Sequence, residues 1–220
     1  MPDEQPVEIN LDGVVLPGTL GIPPGARGVV IFSHGSGSSR LSPRNTFVAG
    51  VLRQGGIGTL LFDLLTPEED RIYQTRFDID LLTRRLIRVT DWLLQQPVAG
   101  GLSIGYFGAS TGSASALRAA AELGPAVRAV VSRGGRPDLA MAALSRVQAA
   151  VLLIVGGSDP VVIELNQEAF SHITAPKQLE IIPGATHLFE EQGALEEVAR
   201  LATQWFQQHL GLPEDRREAA

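Results

Sequence analysis

Ser103-Ile104-Gly105-Tyr106-Phe107-Gly108-Ala109-Ser110-Thr111-Gly112 is the stretch that decides the fold. It begins as a short apolar run typical of a strand, and the Ala-rich residues 113–121 that follow predict a helix. Ser110 then lies on a sharp turn between the two elements, with a glycine two positions to either side that lets them approach without a Cβ clash. This context matches the Gly-x-Ser-x-Gly turn that carries a nucleophilic serine. Taken without its context, the pentapeptide is also compatible with a chance match in a Gly- and Ser-rich turn.

Strands and helices alternate on both sides of this turn. Apolar runs of strand length occupy residues 29–32, 59–62, 103–107, 127–131, 151–155 and 178–182. Helical periodicity is clearest over residues 43–54, 77–95, 113–123 and 194–210. Such alternation predicts a parallel sheet with helices on both faces. A hairpin of residues 7–11 and 14–22, turning at Asp12-Gly13, extends the predicted sheet to about eight strands.

The composition narrows the class of protein. A chain of 220 residues is expected to form one domain, here residues 1–212, and the charged tail 213–220 is expected to fray. The net charge of −6 argues against a nucleic-acid partner. Without cysteine, disulfides, thiolate metal sites and a cysteine nucleophile are excluded. No apolar run has the length of a membrane span or signal peptide, so a cytoplasmic protein without a membrane partner is expected. The sequence is compatible with both a monomer and a homo-oligomer.

A serine nucleophile needs a base, and the order of residues along the chain suggests which one. With this type of turn, the acid follows the serine and the histidine follows the acid. Asp159 follows the strand at residues 151–155, and His187 follows the last strand, so both are expected at the carboxyl edge of the sheet beside Ser110. The remaining histidines fit less well, because His34 precedes the serine and the other two, His172 and His209, lie in helical segments. Asp138, after the preceding strand, is a rival for the acid.

The Gly-rich loop at residues 34–40 is the candidate oxyanion loop. A developing oxyanion requires two backbone N–H donors, one from this loop and one from the residue after the nucleophile. Ser36 is the predicted first donor, with Gly35 and Gly37 as alternatives, and Thr111 is the second. His34 and Gly35 are expected to line the substrate site. A phosphate-binding loop is the competing interpretation, but neither the Walker lysine nor the spaced glycines of a dinucleotide site are present.

These motifs together resemble the dienelactone hydrolase-like group of α/β-hydrolases over nearly the whole chain. The similarity is carried by residues 34–40, 108–112, 132–138, 156–159 and 184–187. Within that group the similarity is strongest to the hydrolase domain that some bacteria fuse to a phosphoribosyltransferase-like domain. No resemblance to that second domain is recognised in this sequence. Dienelactone hydrolases proper use cysteine as the nucleophile. The serine in this chain therefore favours general ester hydrolysis over lactone chemistry.

The sequence thus predicts an α/β-hydrolase that cleaves small carboxylic esters as a serine esterase, with Ser110, His187 and Asp159 as its triad and no metal or organic cofactor. A thioesterase, peptidase, lactone hydrolase or acyl transferase would use the same triad, and a non-catalytic binding module could share the fold. Only about twenty residues join the strands at 127–131 and 151–155, too few for a lid, so an open site for short acyl groups is expected. The resemblance to hydrolases of acidic lactones implies that Arg133 binds a substrate carboxylate. The structural alternative is that Arg133 and Arg136 pair with Asp138 or with nearby carboxylates.

Overall fold

The protein is described by a computed structural model over residues 4–11 and 13–211, and its predicted tail lies outside the described residues. The strands are β1 Glu4–Leu11, β2 Val14–Gly21, β3 Gly28–Ser33, β4 Gly58–Phe62, β5 Ser103–Ala109, β6 Val127–Arg133, β7 Ala150–Gly156 and β8 Lys177–Ile182. The helices are α1 Pro43–Gln54, α2 Pro67–Asp70, α3 Ile79–Leu94, α4 Thr111–Leu123, α5 Met141–Leu144, α6 Pro160–His172 and α7 Ala194–His209.

All eight strands form one sheet in the order β1-β2-β4-β3-β5-β6-β7-β8. From β4 to β8 every neighbouring pair is parallel, whereas β2 is antiparallel to both β1 and β4. The mostly parallel, eight-stranded sheet predicted from the sequence is therefore confirmed, including the N-terminal hairpin. In that hairpin Leu11 pairs with Val14, and Gly13 has a φ of +90°, which glycine adopts without strain.

Helices cover both faces of the sheet. On one face α1 and α7 pack over side chains such as Phe32, Phe107 and Val131, and on the other α3, α4 and α6 pack over Ile31, Tyr106 and others. Strands β3, β4 and β7 are consequently buried at every residue, which explains why they read as continuous apolar runs rather than alternating ones. Each fully buried aliphatic or aromatic side chain contributes about 1.5–3 kcal/mol of transfer free energy to this core.

Helix ends depart from the predicted bounds where local chemistry intervenes. α1 has the predicted bounds, with Ser42 as its cap and Pro43 in its first turn. α3 begins two residues late, at Ile79, because the side chain of Asp78 accepts the N–H of Leu81 at 2.9 Å. α4 begins two residues early, at Thr111, directly after the nucleophile turn.

The connection between β6 and β7 lies wholly within the described residues and contains a 3₁₀ turn, Pro137–Ala140, and the four-residue α5, but no inserted lid. This connection therefore contributes no lid over the carboxyl edge of the sheet. No helix in the described part of the chain combines the length and apolarity that crossing a membrane requires.

Candidate active site

Ser110 occupies a strained turn between β5 and α4. Its φ of 50° and ψ of −123° lie outside the regions that residues other than glycine normally adopt, at a cost on the order of 1–3 kcal/mol. The turn is so tight that a Cβ on Gly112 would lie 2.1 Å from the carbonyl oxygen of Ser33, and a Cβ on Gly108 would lie 2.4 Å from the Cα of Ser113. The two glycines of the motif are therefore required by the backbone, and the strain they permit presents the serine side chain at the edge of the sheet.

Asp159 and His187 are brought together from two loops. The Nδ1 of His187 lies 2.8 Å from Oδ2 of Asp159, at the ends of β8 and β7 respectively. Because an ionised carboxylate only accepts hydrogen bonds, Nδ1 carries the proton and Nε2 is left as the basic nitrogen. Asp159 also stands at the N-cap of α6, yet its side chain makes no capping bond there and is available to the histidine.

The histidine ring lies beside the backbone that supports Ser110. A Cβ on Gly134 would be 3.5 Å from Cε1 of His187, and the N–H of Ser110 donates to the carbonyl of Arg133, the residue before that glycine. Glu191 accepts the N–H of Thr186, the residue before the histidine, and hydrogen bonding from the Thr186 side chain and then its backbone lowers the pKa of the exposed Glu191 carboxyl. The three residues predicted from the chain order are thus gathered at one edge of the sheet.

Asp138, the rival acid, is engaged elsewhere. Its two carboxylate oxygens accept hydrogen bonds from Nε and a terminal nitrogen of Arg136 at 2.9 and 2.8 Å. This bidentate pair raises the pKa of the Arg136 guanidinium. The structure therefore associates His187 with Asp159 and Asp138 with Arg136.

The oxyanion loop lies against the nucleophile turn. The N–H of Ser36 donates to Oγ1 of Thr111 at 2.9 Å, which brings the two predicted oxyanion donors next to each other. In this arrangement the Ser36 N–H already has a partner, so an oxyanion would share or displace the Thr111 hydroxyl. Gly35, the alternative donor, also lies next to the nucleophile, because a Cβ at this position would lie 3.1 Å from the Cβ of Ser110. The N–H of Thr111, in the first turn of α4, has no acceptor within its own helix.

His34, a predicted substrate-site residue, has both ring nitrogens bonded to the backbone. Its Nε2 accepts the N–H of Leu64 at 3.0 Å and its Nδ1 donates to the carbonyl of Gly35 at 3.0 Å, so both ring nitrogens are occupied by backbone groups. The side chain is buried, and this burial lowers the pKa of His34. The ring is therefore neutral and joins the oxyanion loop to the loop after β4, with no nitrogen left for a substrate.

Arg133 is buried beside the site without a carboxylate. It does not pair with Asp138, as one interpretation of the sequence expected, but donates a long hydrogen bond of 3.3 Å to Oδ1 of Asn45 in α1. Arg133 as a whole residue is only 8% exposed, its Nε has no partner among the described residues, and no ion pair joins it to a described carboxylate. Burial and the neighbouring charge of Arg44 lower the pKa of Arg133 to about 10. A desolvated cation of this kind is stabilised when an anion pairs with it.

Over residues 4–11 and 13–211, no group of histidine, aspartate and glutamate side chains is arranged to hold a metal ion. The chemistry available at the site is that of a serine, a histidine–carboxylate pair and backbone donors. These features, on a mostly parallel sheet with the serine between strand and helix, define the class of α/β-hydrolases.

Within that class, residues 57–210 match the model of the dienelactone hydrolase family, and the chain belongs to that family. It is 55% identical to a dienelactone hydrolase from Anabaena variabilis whose crystal structure superposes with a TM-score of 0.93, covering 95% of this chain and 99% of that one. Est1E from Butyrivibrio proteoclasticus shares the fold at 17% identity, with a TM-score of 0.80 over 92% of this chain and 98% of its own.

Among curated proteins, the chain is 57% identical over 207 residues to two Mycobacterium tuberculosis proteins, from strains CDC 1551 / Oshkosh and ATCC 25618 / H37Rv, that carry the name "Putative phosphoribosyl transferase". The match covers 94% of this chain and 47% of each relative, so the chain spans about half the length of the curated relatives it matches.

Sequence reasoning missed several residues that shape the site. Asn45 and Asn166 make buried contacts that no local motif predicts. Their partners, Arg133 and Gly135, are 88 and 31 residues away in the chain. Gly134 and Gly135 lie within the stretch 132–138 that resembles the family. Two glycines in a row directly after a strand indicate that the backbone there approaches another element closely.

Proposed function

We propose that this protein is a serine hydrolase that cleaves small carboxylic esters through an acyl-enzyme. The observation that carries the proposal is the 2.8 Å bond between His187 Nδ1 and Asp159 beside a serine held in a strained strand-to-helix turn. The bond fixes the tautomer in which Nε2 is unprotonated, and the turn exposes the hydroxyl that this nitrogen would activate. Membership of the dienelactone hydrolase family supports a hydrolytic reaction.

In the proposed reaction, Ser110 Oγ attacks the ester carbonyl while His187 Nε2 takes the hydroxyl proton. The resulting tetrahedral oxyanion collapses, the bond to the alcohol oxygen breaks, and the imidazolium returns its proton to the leaving alcohol. A water molecule then attacks the acyl-serine with His187 again as base, which releases the carboxylic acid and restores the serine. Asp159 keeps its negative charge throughout, orients the ring and stabilises the imidazolium.

The oxyanion is assigned to the backbone N–H groups of Ser36 and Thr111. Their proximity, through the bond from Ser36 N–H to Thr111 Oγ1, supports this assignment. Removing one such donor in other hydrolases costs about 2.7–4 kcal/mol of transition-state stabilisation. In this enzyme the Thr111 hydroxyl would turn aside or share the Ser36 donor as the negative charge develops.

For the substrate, we assign esters with a short acyl chain and a carboxylate. Because the connection between β6 and β7 carries no lid, we expect little apolar wall around the acyl chain, and each methylene of a substrate gains about 0.8 kcal/mol only when it is buried. Arg133, desolvated and without a described carboxylate partner, is the candidate binding group for an anion. Gly35, in contact with Ser110, would line the same site.

Hydrolysis of thioesters or lactones and acyl transfer would use the same triad. The name of the curated relatives suggests phosphoribosyl transfer as a further alternative. Two measurements separate these possibilities. Labelling with a fluorophosphonate, followed by peptide mapping, shows whether Ser110 is an activated nucleophile. Rates on p-nitrophenyl esters of graded acyl length, compared with a thioester and a lactone of the same acyl group, then rank the substrate classes. A wild-type protein that is folded, unlabelled and inactive on all three would contradict the proposal and favour a non-catalytic module.

A further inference from the structure

The backbone of Ser110 is clamped by the segment that follows β6. The N–H of Ser110 donates to the carbonyl of Arg133 at 3.2 Å, and the N–H of Arg136 donates to the carbonyl of Ser110 at 3.1 Å. The hydroxyl of Ser113 joins the two segments, because it donates to the Ser110 carbonyl at 2.7 Å and accepts the Arg136 N–H at 2.9 Å. The strained conformation of the nucleophile is thus held from outside its own turn.

Gly135 lies at the centre of this clamp. A Cβ at this position would come within 1.9 Å of the Ser132 hydroxyl oxygen and 2.4 Å of the Ser113 hydroxyl oxygen. At Gly135 the segment therefore presents only backbone to the hydroxyls of Ser132 and Ser113. We call residues 134–136 the support turn, since their position determines where the Ser110 carbonyl is held.

Asn166 connects the support turn to another helix. This α6 residue is fully buried, and its Nδ2 donates to the carbonyl of Gly135 at 3.0 Å and to that of Val162 at 2.8 Å. Helix α6 begins directly after Asp159, which is its N-cap. One rigid helix thus carries the acid of the triad at its start and a hydrogen bond to the support of the nucleophile two turns later. The Oδ1 of Asn166 is buried without a partner among the described residues, so the two bonds from Nδ2 are what offset the burial of this amide, and one of them goes to Gly135.

We propose that Asn166 is a positioning residue that keeps Ser110 in register with the Asp159–His187 pair by fixing the support turn. The inference rests on the proposed function. Without the Asn166 bond, the support turn is held, among the described residues, only by the N–H groups of Gly134 and Arg136, and a shift of its Gly135 carbonyl displaces the serine hydroxyl relative to the base. A displacement of about 1 Å in a reacting group can lower a rate about a hundred-fold. Substrate binding at the site surface is unaffected, because Asn166 is buried behind the turn.

The test compares Asn166→Ala, Asn166→Ser and Thr90→Val. The serine variant keeps a hydroxyl that can bond the carbonyl four residues earlier in the helix but does not reach Gly135. Thr90 is the matched control. It is also fully buried and makes two hydrogen bonds, to the Leu86 carbonyl at 2.8 Å and the Tyr106 hydroxyl at 2.7 Å, on a helix remote from the support turn. For each variant, kcat and KM on p-nitrophenyl acetate and the rate of fluorophosphonate labelling are measured per folded protein, with thermal midpoints recorded.

Both Asn166 variants are expected to lose between about ten- and a hundred-fold in kcat and labelling rate, with KM within about two-fold of wild type. Thr90→Val is expected to lose thermal stability but not rate. Should Asn166→Ala fail to fold, Asn166→Ser and Ser113→Ala, which removes the hydroxyl bridging Ser110 and Arg136, provide the same comparison. Wild-type rates in the Asn166 variants, an equal loss in Thr90→Val, or a change confined to KM would overturn the inference. Failure of the wild type itself to label would instead overturn the proposed function.

Discussion

Replacing Asp159 by asparagine is the perturbation that separates the two acids considered for the triad. The carboxylate accepts the Nδ1–H of His187 at 2.8 Å, and the Asp159 side chain is 18% exposed while that of His187 is 38% exposed, so the contact is partly shielded from solvent on the carboxylate side. An asparagine at this position can turn its NH₂ toward Nδ1, which favours the tautomer with the proton on Nε2. That tautomer has no lone pair to receive the serine proton. The same change in a well-studied serine protease costs about 10⁴ in kcat, equivalent to roughly 5.5 kcal/mol at 1.36 kcal/mol per decade.

Asp138→Asn is the matched control for this prediction. It removes one charge from a pair whose arginine side chain is 39% exposed, an interaction worth roughly 0.2–1 kcal/mol of stability. The expected outcome is a loss of about 10³- to 10⁴-fold in kcat for Asp159→Asn, against less than about five-fold for Asp138→Asn. Steady-state kinetics on p-nitrophenyl acetate, with circular dichroism to verify folding, provides the measurement. A larger loss in Asp138→Asn than in Asp159→Asn would refute the assignment of the acid.

Three further predictions concern pH and substrate. With a histidine as base, kcat/KM should be lost under acid conditions, where a protonated ring cannot accept the serine proton, and a flat profile in folded protein would contradict this role. Arg133→Ala should slow hydrolysis of carboxylate-bearing esters by about ten-fold or more and of neutral esters of the same length far less, while the gain from longer acyl chains should end after a few carbons. An equal loss on both ester classes, or an optimum at long-chain esters, would count against the substrate assignment. Because burial lowers the pKa of His34, the unfolded chain takes up a proton below about pH 6.5 that the folded protein does not bind, so the free energy of unfolding should decrease as the pH falls below that value. His34→Gln should lessen this decrease in urea titrations, and an unchanged pH dependence would disprove it.

The sheet could be predicted from the sequence because its central strands are buried on both faces. Continuous apolar runs between turn residues leave few other arrangements, and each predicted run lies within an observed strand. Helix α6 was not among the clearest helical segments. Its first turn places Val161 in solvent, 65% exposed, beside the buried Val162, so the apolar pattern gives a weak helical signal.

The contacts of individual polar side chains could not be predicted, since they depend on the tertiary structure. Arg133 and Arg136 both lie within a turn or two of Asp138 in the sequence, but Arg133 is the last residue of β6. Strand alternation places its side chain with Val131 on the face covered by α1 and α7, and this leaves Arg136 for the carboxylate. His34 was expected at the substrate, but its ring bonds Leu64, thirty residues along the chain. The relative order of serine, acid and histidine was informative because parallel strands bring their carboxyl ends to one edge.

Ser110→Ala tests the central claim most directly. The hydroxyl makes no core contact that the fold requires, so the variant should melt at the same temperature as the wild type within about one or two degrees. The wild-type protein should react with a fluorophosphonate at Ser110 and hydrolyse p-nitrophenyl acetate, and the folded variant should do neither. Retention of more than a small fraction of the wild-type hydrolysis or labelling by Ser110→Ala would contradict the assignment of this serine as the nucleophile.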